Sequence, residues 1–278
     1  MKLVSFTDGE NRRLGRVEDG QVIPFDFDGS MLGLIQAGER GLELARSATD
    51  EGLPLESVTL TAPLDNPSKI IAIGLNYLDH AEEGKADVPA NPICFCKFPT
   101  SLIGPGAEVK WSPDVSAKVD YEAELVVVVG KRARRVSEAE ALDYVFGYTC
   151  GNDVSARDLQ FGDGQWVRGK SLDTFAPIGP WIVTADEIPN PQTLDIRCLV
   201  NGQTMQESNT GHMIFSVAYL IHFLSQAFTL LPGDLIFSGT PSGVGVFRNP
   251  PVLMGDGDEM VIEIDGIGRL VNRCRTEA

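Results

Sequence analysis

The segment 122–130 places two acids at the start of an apolar run. It reads Glu-Ala-Glu-Leu-Val-Val-Val-Val-Gly, and its four consecutive valines predict a β-strand that is buried on both faces. Successive side chains of a strand point to opposite faces, so Glu122 and Glu124 share a face with Val126 and Val128. Burying two like charges together is costly unless a positive charge compensates them. A divalent cation would do so. The alternative is an edge strand whose acids face solvent and protect against aggregation.

A third carboxylate, Asp153, follows a second strand-like segment at 146–150. Three hard oxygen ligands with open coordination positions are typical of a catalytic Mg²⁺ or Mn²⁺ site rather than of a closed structural one. A non-catalytic Ca²⁺-binding protein is the alternative from a different class. The chain has no Asp-x-Asp-x-Asp-Gly calcium loop.

The charge of the chain narrows the choice of partners. With 278 residues, a net charge of −16 and a pI near 4.5, the chain lacks the basic surface that nucleic acid or an anionic membrane requires. Five cysteines without Cys-x-x-Cys spacing predict reduced thiols, and no secretory signal or membrane-length apolar stretch is visible, so we expect a cytoplasmic location. Cys94 and Cys96 alternate with Phe95, which predicts small core residues.

A proline-rich passage at 62–68 predicts a boundary between two parts of the chain. A small N-terminal domain over 1–65 contains predicted strands at 2–6, 13–17 and 21–24 and a helix at 31–48. A larger domain over 69–278 contains predicted strands at 70–74, 93–98, 123–129, 178–183, 195–200, 234–237 and 260–264.

Two further helices are predicted in the larger domain. The segment 137–144 begins with a capping box formed by Ser137 and Glu140. The segment 213–228 has apolar residues at helical spacing, with Ser208 or Thr210 as its cap. His222 inside this helix is predicted to be a packed or partly exposed residue rather than a catalyst.

His80 and Glu83 lie three residues apart in a short predicted helix that Gly84 ends. At that spacing the carboxylate can orient the imidazole, so the pair can act as a general base. The alternative is an exposed surface pair of little consequence. The stretch 84–92 contains Gly, Ala and Pro and predicts a mobile lid.

Three polar residues between 153 and 175 are candidates for substrate contacts. Lys170 follows a glycine-containing segment and is a candidate for holding a carboxylate or an oxyanion, or is simply a solvated lysine. If 154–160 is helical, Arg157 and Gln160 point in a similar direction to Asp153 and face an anionic ligand. Alternatively, Arg157 pairs with Asp153 or Asp158.

The segment 238–245 reads Ser-Gly-Thr-Pro-Ser-Gly-Val-Gly and follows a predicted strand. Its amides could bind a substrate carboxylate, with the Thr240 hydroxyl adding a hydrogen bond. The segment lacks the Gly-Lys-[Ser/Thr] ending of a P-loop, which argues against nucleotide binding. Tight β-turns use the same residues.

Taken together, these segments resemble the fumarylacetoacetate hydrolase superfamily. The matching stretches occur in family order from about residue 69 to the end of the chain and are most similar to the smaller two-domain members: 74–80, 120–125, 152–158, 169–175 and 238–245. The resemblance implies an α+β fold built on a mixed β-sheet roll with a small N-terminal α/β appendage, commonly a homodimer.

The resemblance also implies roles for particular residues. Mg²⁺ or Mn²⁺ would be held by the positions matching Glu122, Glu124 and Asp153. His80 and Glu83 match a water-activating pair on a closing lid helix, and Lys170 matches the catalytic lysine. Arg157, Gln160 and Thr240 match substrate contacts. The short N-terminal region departs from the founding hydrolase, which argues against fumarylacetoacetate itself as the substrate.

We therefore expect a metal-dependent hydrolase that cleaves a carbon–carbon bond in an acylpyruvate-type β-diketo acid and releases pyruvate. In this interpretation the water activated by His80 and Glu83 attacks the distal ketone, and the metal stabilises the departing enolate. The same site could instead decarboxylate oxaloacetate or isomerise a 2-oxo diacid, because both reactions pass through an enolate. In either case the partner is a small 2-oxo acid.

Overall fold

The computed structural model describes residues 1–9, 11–27 and 29–277, and strands dominate it. The strands are β1 (Lys2–Thr7), β2 (Arg12–Glu18), β3 (Gln21–Phe25), β4 (Leu53–Pro54), β5 (Thr59–Leu60), β6 (Ile70–Gly74), β7 (Ile93–Lys97), β8 (Leu102–Ile103), β9 (Glu108–Trp111), β10 (Val119–Asp120), β11 (Ala123–Val129), β12 (Val145–Asn152), β13 (Ser155–Ala156), β14 (Ala176–Thr184), β15 (Asp195–Val200), β16 (Gln203–Asn209), β17 (Leu235–Phe237), β18 (Glu259–Ile264) and β19 (Gly268–Thr276). The helices are α1 (Met31–Gln36), α2 (Glu39–Ser47), α3 (Leu78–Glu83), α4 (Arg157–Gly162), α5 (Val167–Lys170) and α6 (Val217–Ala227).

Most of the strands form one large mixed sheet in the order β4-β3-β2-β1-β14-β12-β11-β17-β6-β7. A second sheet has the order β16-β15-β18-β19-β9, and β10 pairs with β13. Most pairs are antiparallel, whereas β17 and β6, β19 and β9, and β14 and β8 are parallel. The predicted α+β fold with mixed sheets is confirmed.

Strand β11 is buried on both faces, as its four valines predict. Leu125, Val127 and Val129 belong to a core between the two sheets, which α6 also joins. Val126 and Val128 belong to a second core on the opposite face, where α1 and α2 pack. Because the edges of β11 are paired with β12 and β17, the strand is central, and an exposed edge for Glu122 and Glu124 is excluded.

The N-terminal strands extend the large sheet. Lys2 and Leu3 of β1 pair with Val183 and Ile182 of β14, so this part of the chain shares a sheet with the rest. The boundary between the predicted domains 1–65 and 69–278 stays a prediction. Glu10, Asp28 and Ala278, which fall within those two ranges, lie outside the described residues.

Three helix predictions require correction. The helix predicted at 31–48 is two helices, because the chain turns at Gly38, whose φ of +58° favours glycine. The segment Glu138–Tyr144 is a 3₁₀-helix, and the Ser137 hydroxyl donates to Glu140 instead of capping an amide. Helix α6 begins later than predicted and is capped by Ser216, whose Oγ accepts from the Tyr219 amide at 3.1 Å.

The two cysteines predicted to be core residues are exposed. Strand β7 forms an edge of the large sheet, and Cys94 and Cys96 lie on its exposed face. Lys97, on the opposite face, is fully buried. His222 is half-buried in α6, as predicted, with Nδ1 2.7 Å from the Val136 carbonyl. None of the helices in 1–9, 11–27 and 29–277 is long and apolar enough to cross a membrane.

Candidate active site

The structure brings Glu122, Glu124 and Asp153 together at one end of β11 and β12. One oxygen from each carboxylate lies within 4.8 Å of the others, and all three residues are buried. The antiparallel pairing of Ala123 with Asn152 places the ends of the two strands side by side. The Asp153 amide donates to the Glu122 carbonyl at 2.9 Å, which fixes the third acid next to the first.

Three buried cations reach these acids from other parts of the chain. Lys170 Nζ lies 2.6 Å from Glu122 Oε2 and 2.9 Å from Asp153 Oδ2. Arg157 Nη1 donates to Glu122 Oε1 at 2.6 Å, and Lys97 Nζ donates to Asp153 Oδ1 at 2.5 Å. Glu122 and Asp153 are therefore ion-paired, whereas Glu124 accepts a hydrogen bond only from the Gly239 amide, at 2.8 Å, among the residues described.

This difference separates the pKa values of the two glutamates. Burial disfavours ionisation of Glu122, but the charges of Lys170 and Arg157 outweigh it and lower its pKa to about 2. Burial raises the pKa of Glu124 well above its usual value, and the negative charges of Asp153 and Glu122 raise it further. Glu124 thus lies beside the ion-paired acids Glu122 and Asp153 without a cationic partner of its own. A divalent metal bound by the three acids would supply the missing positive charge, and their hard oxygen ligands suit Mg²⁺ or Mn²⁺.

His80 and Glu83 lie on α3, one turn apart and facing each other. His80 Nδ1 is 3.4 Å from Glu83 Oε2, and Glu83 also accepts from the Gly243 amide at 3.0 and 3.1 Å. His80 is buried, so the pair is not a solvated surface pair. Since Nδ1 faces Glu83, Nε2 is the ring nitrogen left to exchange a proton with a ligand. The catalytic role of the pair stays a prediction.

A cavity of about 190 Å³ joins these groups. Six residues predicted for the site line it: His80, Glu122, Arg157, Gln160, Lys170 and Thr240. Glu83, Glu124 and Asp153 do not line the cavity themselves but contact residues or loop amides next to it. Aromatic side chains form much of the remaining wall, where Phe95 and Trp166 pack edge to face at 5.4 Å. A Cβ at Gly74 would lie 2.3 Å from the Trp166 ring, so the tryptophan requires glycine there.

Arg157 does not make the alternative pairings with Asp153 or Asp158. Its Nε donates to Asp120 Oδ2 at 2.9 Å, and its Nη1 donates to Glu122 and to Gln160 Oε1. Nη2 approaches Asp120 Oδ2 to 2.9 Å without hydrogen-bond alignment, and this buried nitrogen has no aligned acceptor in the described part of the chain. The guanidinium is thus held by Asp120, Glu122 and Gln160 at the wall of the cavity.

The glycine-rich loop at 238–245 binds the protein's own acids, not a substrate carboxylate as predicted. The amides of Gly239 and Gly243 donate to Glu124 and Glu83, and the Gly245 amide donates to Asp120 Oδ1 at 2.8 Å. The loop therefore holds the carboxylates of Glu124 and Glu83 in place, while Thr240 remains at the cavity wall.

Sequence reasoning missed three buried residues that support the site: Lys97, Asp120 and Gln206. Asp120 holds Arg157 and the loop amides of Gly245 and Val246. Gln206 contacts Thr240 from β16, a strand that was not predicted. Their contacts join segments distant in sequence, so only the proximity of Asp120 to Glu122 gave a local signal.

Comparisons with known proteins show similarity to one family. A family model described as fumarylacetoacetate (FAA) hydrolase C-terminal matches residues 69–275. The rat protein named oxaloacetate tautomerase Fahd2a, mitochondrial, is 45% identical over 248 residues, covering 88% of this chain and 79% of that protein. Oxaloacetate tautomerase fahd2, mitochondrial, of Xenopus laevis is 44% identical and covers 98% of this chain and 89% of that protein.

Solved structures are similar over the full chain. A fumarylacetoacetate hydrolase from Exiguobacterium antarcticum has a TM-score of 0.88 and 36% identity, with all of both chains covered. A 2-hydroxyhepta-2,4-diene-1,7-dioate isomerase from Mycobacterium marinum has a TM-score of 0.82 and 35% identity, with 100% of this chain and 99% of that chain covered.

The predicted cytoplasmic location is wrong on the same comparison. Relatives from rat, Xenopus laevis, Bos taurus and Homo sapiens are all named mitochondrial. The prediction relied on reduced cysteines and on seeing neither a secretory signal nor a membrane-length apolar stretch, and none of these observations identifies the compartment.

Proposed function

The chain belongs to the fumarylacetoacetate hydrolase family, and from this premise we propose that it is an enzyme that interconverts the keto and enol forms of oxaloacetate. The relatives named oxaloacetate tautomerases support this reading. The predicted alternatives to acylpyruvate hydrolysis were decarboxylation of oxaloacetate and isomerisation of a 2-oxo diacid, and tautomerisation shares their enolate. We propose Mg²⁺ or Mn²⁺ as the cofactor, held by Glu122, Glu124 and Asp153. Bound there, the cation would supply positive charge that stabilises a developing oxyanion.

The small volume of a cavity lined by Arg157, Gln160 and Thr240 carries the proposal. Pockets for drug-sized ligands measure about 300–1,000 Å³, whereas this cavity has about 190 Å³. A short diacid fits such a volume better than a long acylpyruvate. One carboxylate of oxaloacetate would lie beside the cation-loaded acidic triad, and the other would lie near Arg157, Gln160 and Thr240 at the cavity wall.

His80 would carry the proton in this reaction. Glu83 accepts from Nδ1 and leaves Nε2 as the base, which removes a proton from C3 of the keto form. The same nitrogen returns the proton to the 2-oxygen and so gives the enol, with no net change in the enzyme. The double bond forms between C2 and C3 as the carbonyl double bond is lost.

Lys170 would stabilise the enolate oxygen between these two transfers. An ammonium has three donors, and Lys170 uses two on Glu122 and Asp153, which leaves one for the substrate. Burial disfavours its charge, but the neighbouring acids Asp153 and Glu122 outweigh this and raise its pKa. The lysine therefore stays charged as the oxyanion develops.

Hydrolysis of an acylpyruvate is the second candidate, because a base held by a carboxylate can also activate water. The two reactions differ in products. Tautomerisation leaves all the atoms in one molecule. Hydrolysis releases pyruvate and a carboxylic acid, and decarboxylation of oxaloacetate releases pyruvate and CO₂.

The test follows the decay of enol absorbance when freshly dissolved oxaloacetate meets the Mg²⁺-loaded protein. Pyruvate is measured in parallel with oxaloacetate and with acetylpyruvate as substrates. We expect rapid tautomerisation without pyruvate, and a loss of about 10²–10⁴-fold in kcat in His80→Asn. Glu83→Gln should also slow the reaction, while the exposed neighbour Glu82→Gln serves as a matched control. Pyruvate formation from acetylpyruvate without faster tautomerisation would refute the proposal.

We also propose a homodimer, as the family resemblance implies. Strand β7 forms a sheet edge, and Ile93 and the adjacent Phe98 are exposed there. Sedimentation should give twice the chain mass of 30.1 kDa. A monomer mass would contradict this assignment.

A further inference from the structure

Gln206 makes three buried hydrogen bonds beneath the glycine-rich loop. It lies in β16 and is 1% exposed. Its Oε1 accepts from the Ala123 amide at 2.9 Å, at the start of β11. Its Nε2 donates to Thr240 Oγ1 at 2.7 Å and to the Pro241 carbonyl at 2.8 Å. One side chain thus connects the strand that carries the acids with the loop that carries Thr240.

Two backbone groups determine which way the Gln206 amide faces. The Ala123 N–H can only donate, so it requires the oxygen of the amide. The Pro241 carbonyl can only accept, so it requires the nitrogen. The reversed amide would place donor against donor and acceptor against acceptor in a buried site, which is costly.

The orientation of Gln206 determines the role of the Thr240 hydroxyl. Because Nε2 donates to Oγ1, this oxygen is an acceptor towards Gln206 and its hydrogen must point elsewhere. In the described part of the chain, no acceptor takes that hydrogen. Thr240 is 3% exposed and lines the cavity, so a ligand is the available acceptor.

We propose that Gln206 is a positioning residue that fixes the Thr240 hydroxyl as a donor into the cavity, so that the site selects a carboxylate or oxo oxygen there. The proposal rests on the proposed function in one respect, because it takes the ligand to be a small 2-oxo acid or diacid. It assigns a specificity role to a side chain that does not itself line the cavity.

The test is a double-mutant cycle with Thr240, measured by calorimetric binding of malonate to the Mg²⁺-loaded protein. Gln206→Glu keeps the shape and the acceptor for Ala123, but its second oxygen takes the Thr240 hydrogen away from the cavity. We expect Gln206→Glu to weaken malonate binding about tenfold more when Thr240 is present than in a Thr240→Val background. Effects of the added charge alone are the same in both backgrounds.

A second variant keeps the test informative if Gln206→Glu fails to fold. Gln206→Met removes the amide without adding charge, and it should weaken malonate binding about threefold with Thr240 present and not at all in the Thr240→Val background. Gln192→Glu is the matched control, because Gln192 also bridges two backbone groups, Thr210 O and Val217 N, away from the cavity. It should leave malonate affinity within about twofold of wild type.

The outcomes separate this inference from the proposed function. Equal losses in both Thr240 backgrounds would overturn the inference even if the wild type tautomerises oxaloacetate. A clear coupling in malonate binding without any tautomerisation would support the inference and refute the proposed function. Failure of the wild type to bind malonate or oxaloacetate would overturn both.

Discussion

Replacing Lys97 with methionine should lower the free energy of unfolding, because Asp153 in the acidic cluster loses a buried cationic partner. Lys97 lies in β7 and is 1% exposed. Its Nζ contacts Asp153 Oδ1 at 2.5 Å, the Val154 carbonyl at 3.4 Å and the carbonyl of Lys170. Methionine has a similar length and shape but supplies neither a charge nor a donor. The variant therefore leaves a buried carboxylate short of one cation.

The size of the effect follows from what Asp153 retains. Removing one partner of a buried ion pair costs about 3–5 kcal/mol, and Asp153 still has Lys170 Nζ at 2.9 Å. Burial also lowers the pKa of Lys97 despite the charge of Asp153, which weakens the pair, so the lower limit of about 3 kcal/mol is expected. For a chain of this size each 1 kcal/mol shifts the melting temperature by about 2–4 °C, so the shift should be about 6–12 °C.

Thermal unfolding is measured in EDTA and again in excess Mg²⁺. Mg²⁺ at the triad would compensate Asp153, so the difference between variant and wild type should narrow when it is present. Lys110→Met is the control, because Lys110 is 43% exposed and its nearest acid lies 3.5 Å away. A shift of less than about 2 °C for Lys97→Met in EDTA would refute the reasoning.

Three further predictions concern the same cluster. Burial raises the pKa of Glu124, so above pH 4.5 the folded metal-free protein binds more protons than the unfolded chain, and its stability should fall as pH rises towards the raised pKa. Stabilisation by Mg²⁺, which displaces that proton, should therefore increase with pH above 4.5, and a stabilisation independent of pH would contradict this. The pKa of Glu122 is lowered from 4.5 to about 2, so its ionised carboxylate stabilises the fold above pH 4.5, and this contribution should be lost as pH falls from 4.5 to about 2. In Glu122→Gln the melting temperature should therefore fall less steeply over this pH range, and an equally steep fall would contradict this. Asp120→Asn should raise KM for oxaloacetate more than it lowers kcat, because Arg157 loses one of its two charged partners and keeps only Glu122; an unchanged KM would argue against this role.

The acids of the site were predictable because their signal is local. Glu122 and Glu124 are two residues apart at the start of a run of valines, and strand periodicity alone places them on one face. Asp153 follows the neighbouring strand, so antiparallel pairing brings it to the same end. Burial of β11 on both faces then made solvent exposure of these acids untenable.

The compensating side chains were not predictable because nothing local indicates them. Lys97 lies 56 residues from Asp153, and Gln206 lies 34 residues from Thr240. In β7 the alternation was recognised, but the buried face was assigned wrongly, since apolarity favoured Cys94 and Cys96 whereas the site buries Lys97. When the inner face of a strand contributes to a polar site, the buried positions are polar, and an assignment based on apolarity selects the wrong face.

The charge balance of the site links metal binding to substrate binding. The buried cluster contains four carboxyl groups and three cations: Asp120, Glu122, Glu124, Asp153, Lys97, Arg157 and Lys170. With Glu124 protonated, the remaining charges cancel, and a dianion gains little by entering from water. A divalent cation that displaces this proton leaves one positive charge in excess, in a chain of net charge −16.

Mg²⁺ should therefore raise malonate affinity, and malonate should raise Mg²⁺ affinity by the same factor, because coupling between two binding sites is reciprocal. Calorimetric titration in both orders measures the two factors. Malonate binding that is equally tight in EDTA would show that Arg157, Gln160 and Thr240 hold the diacid without help from the triad.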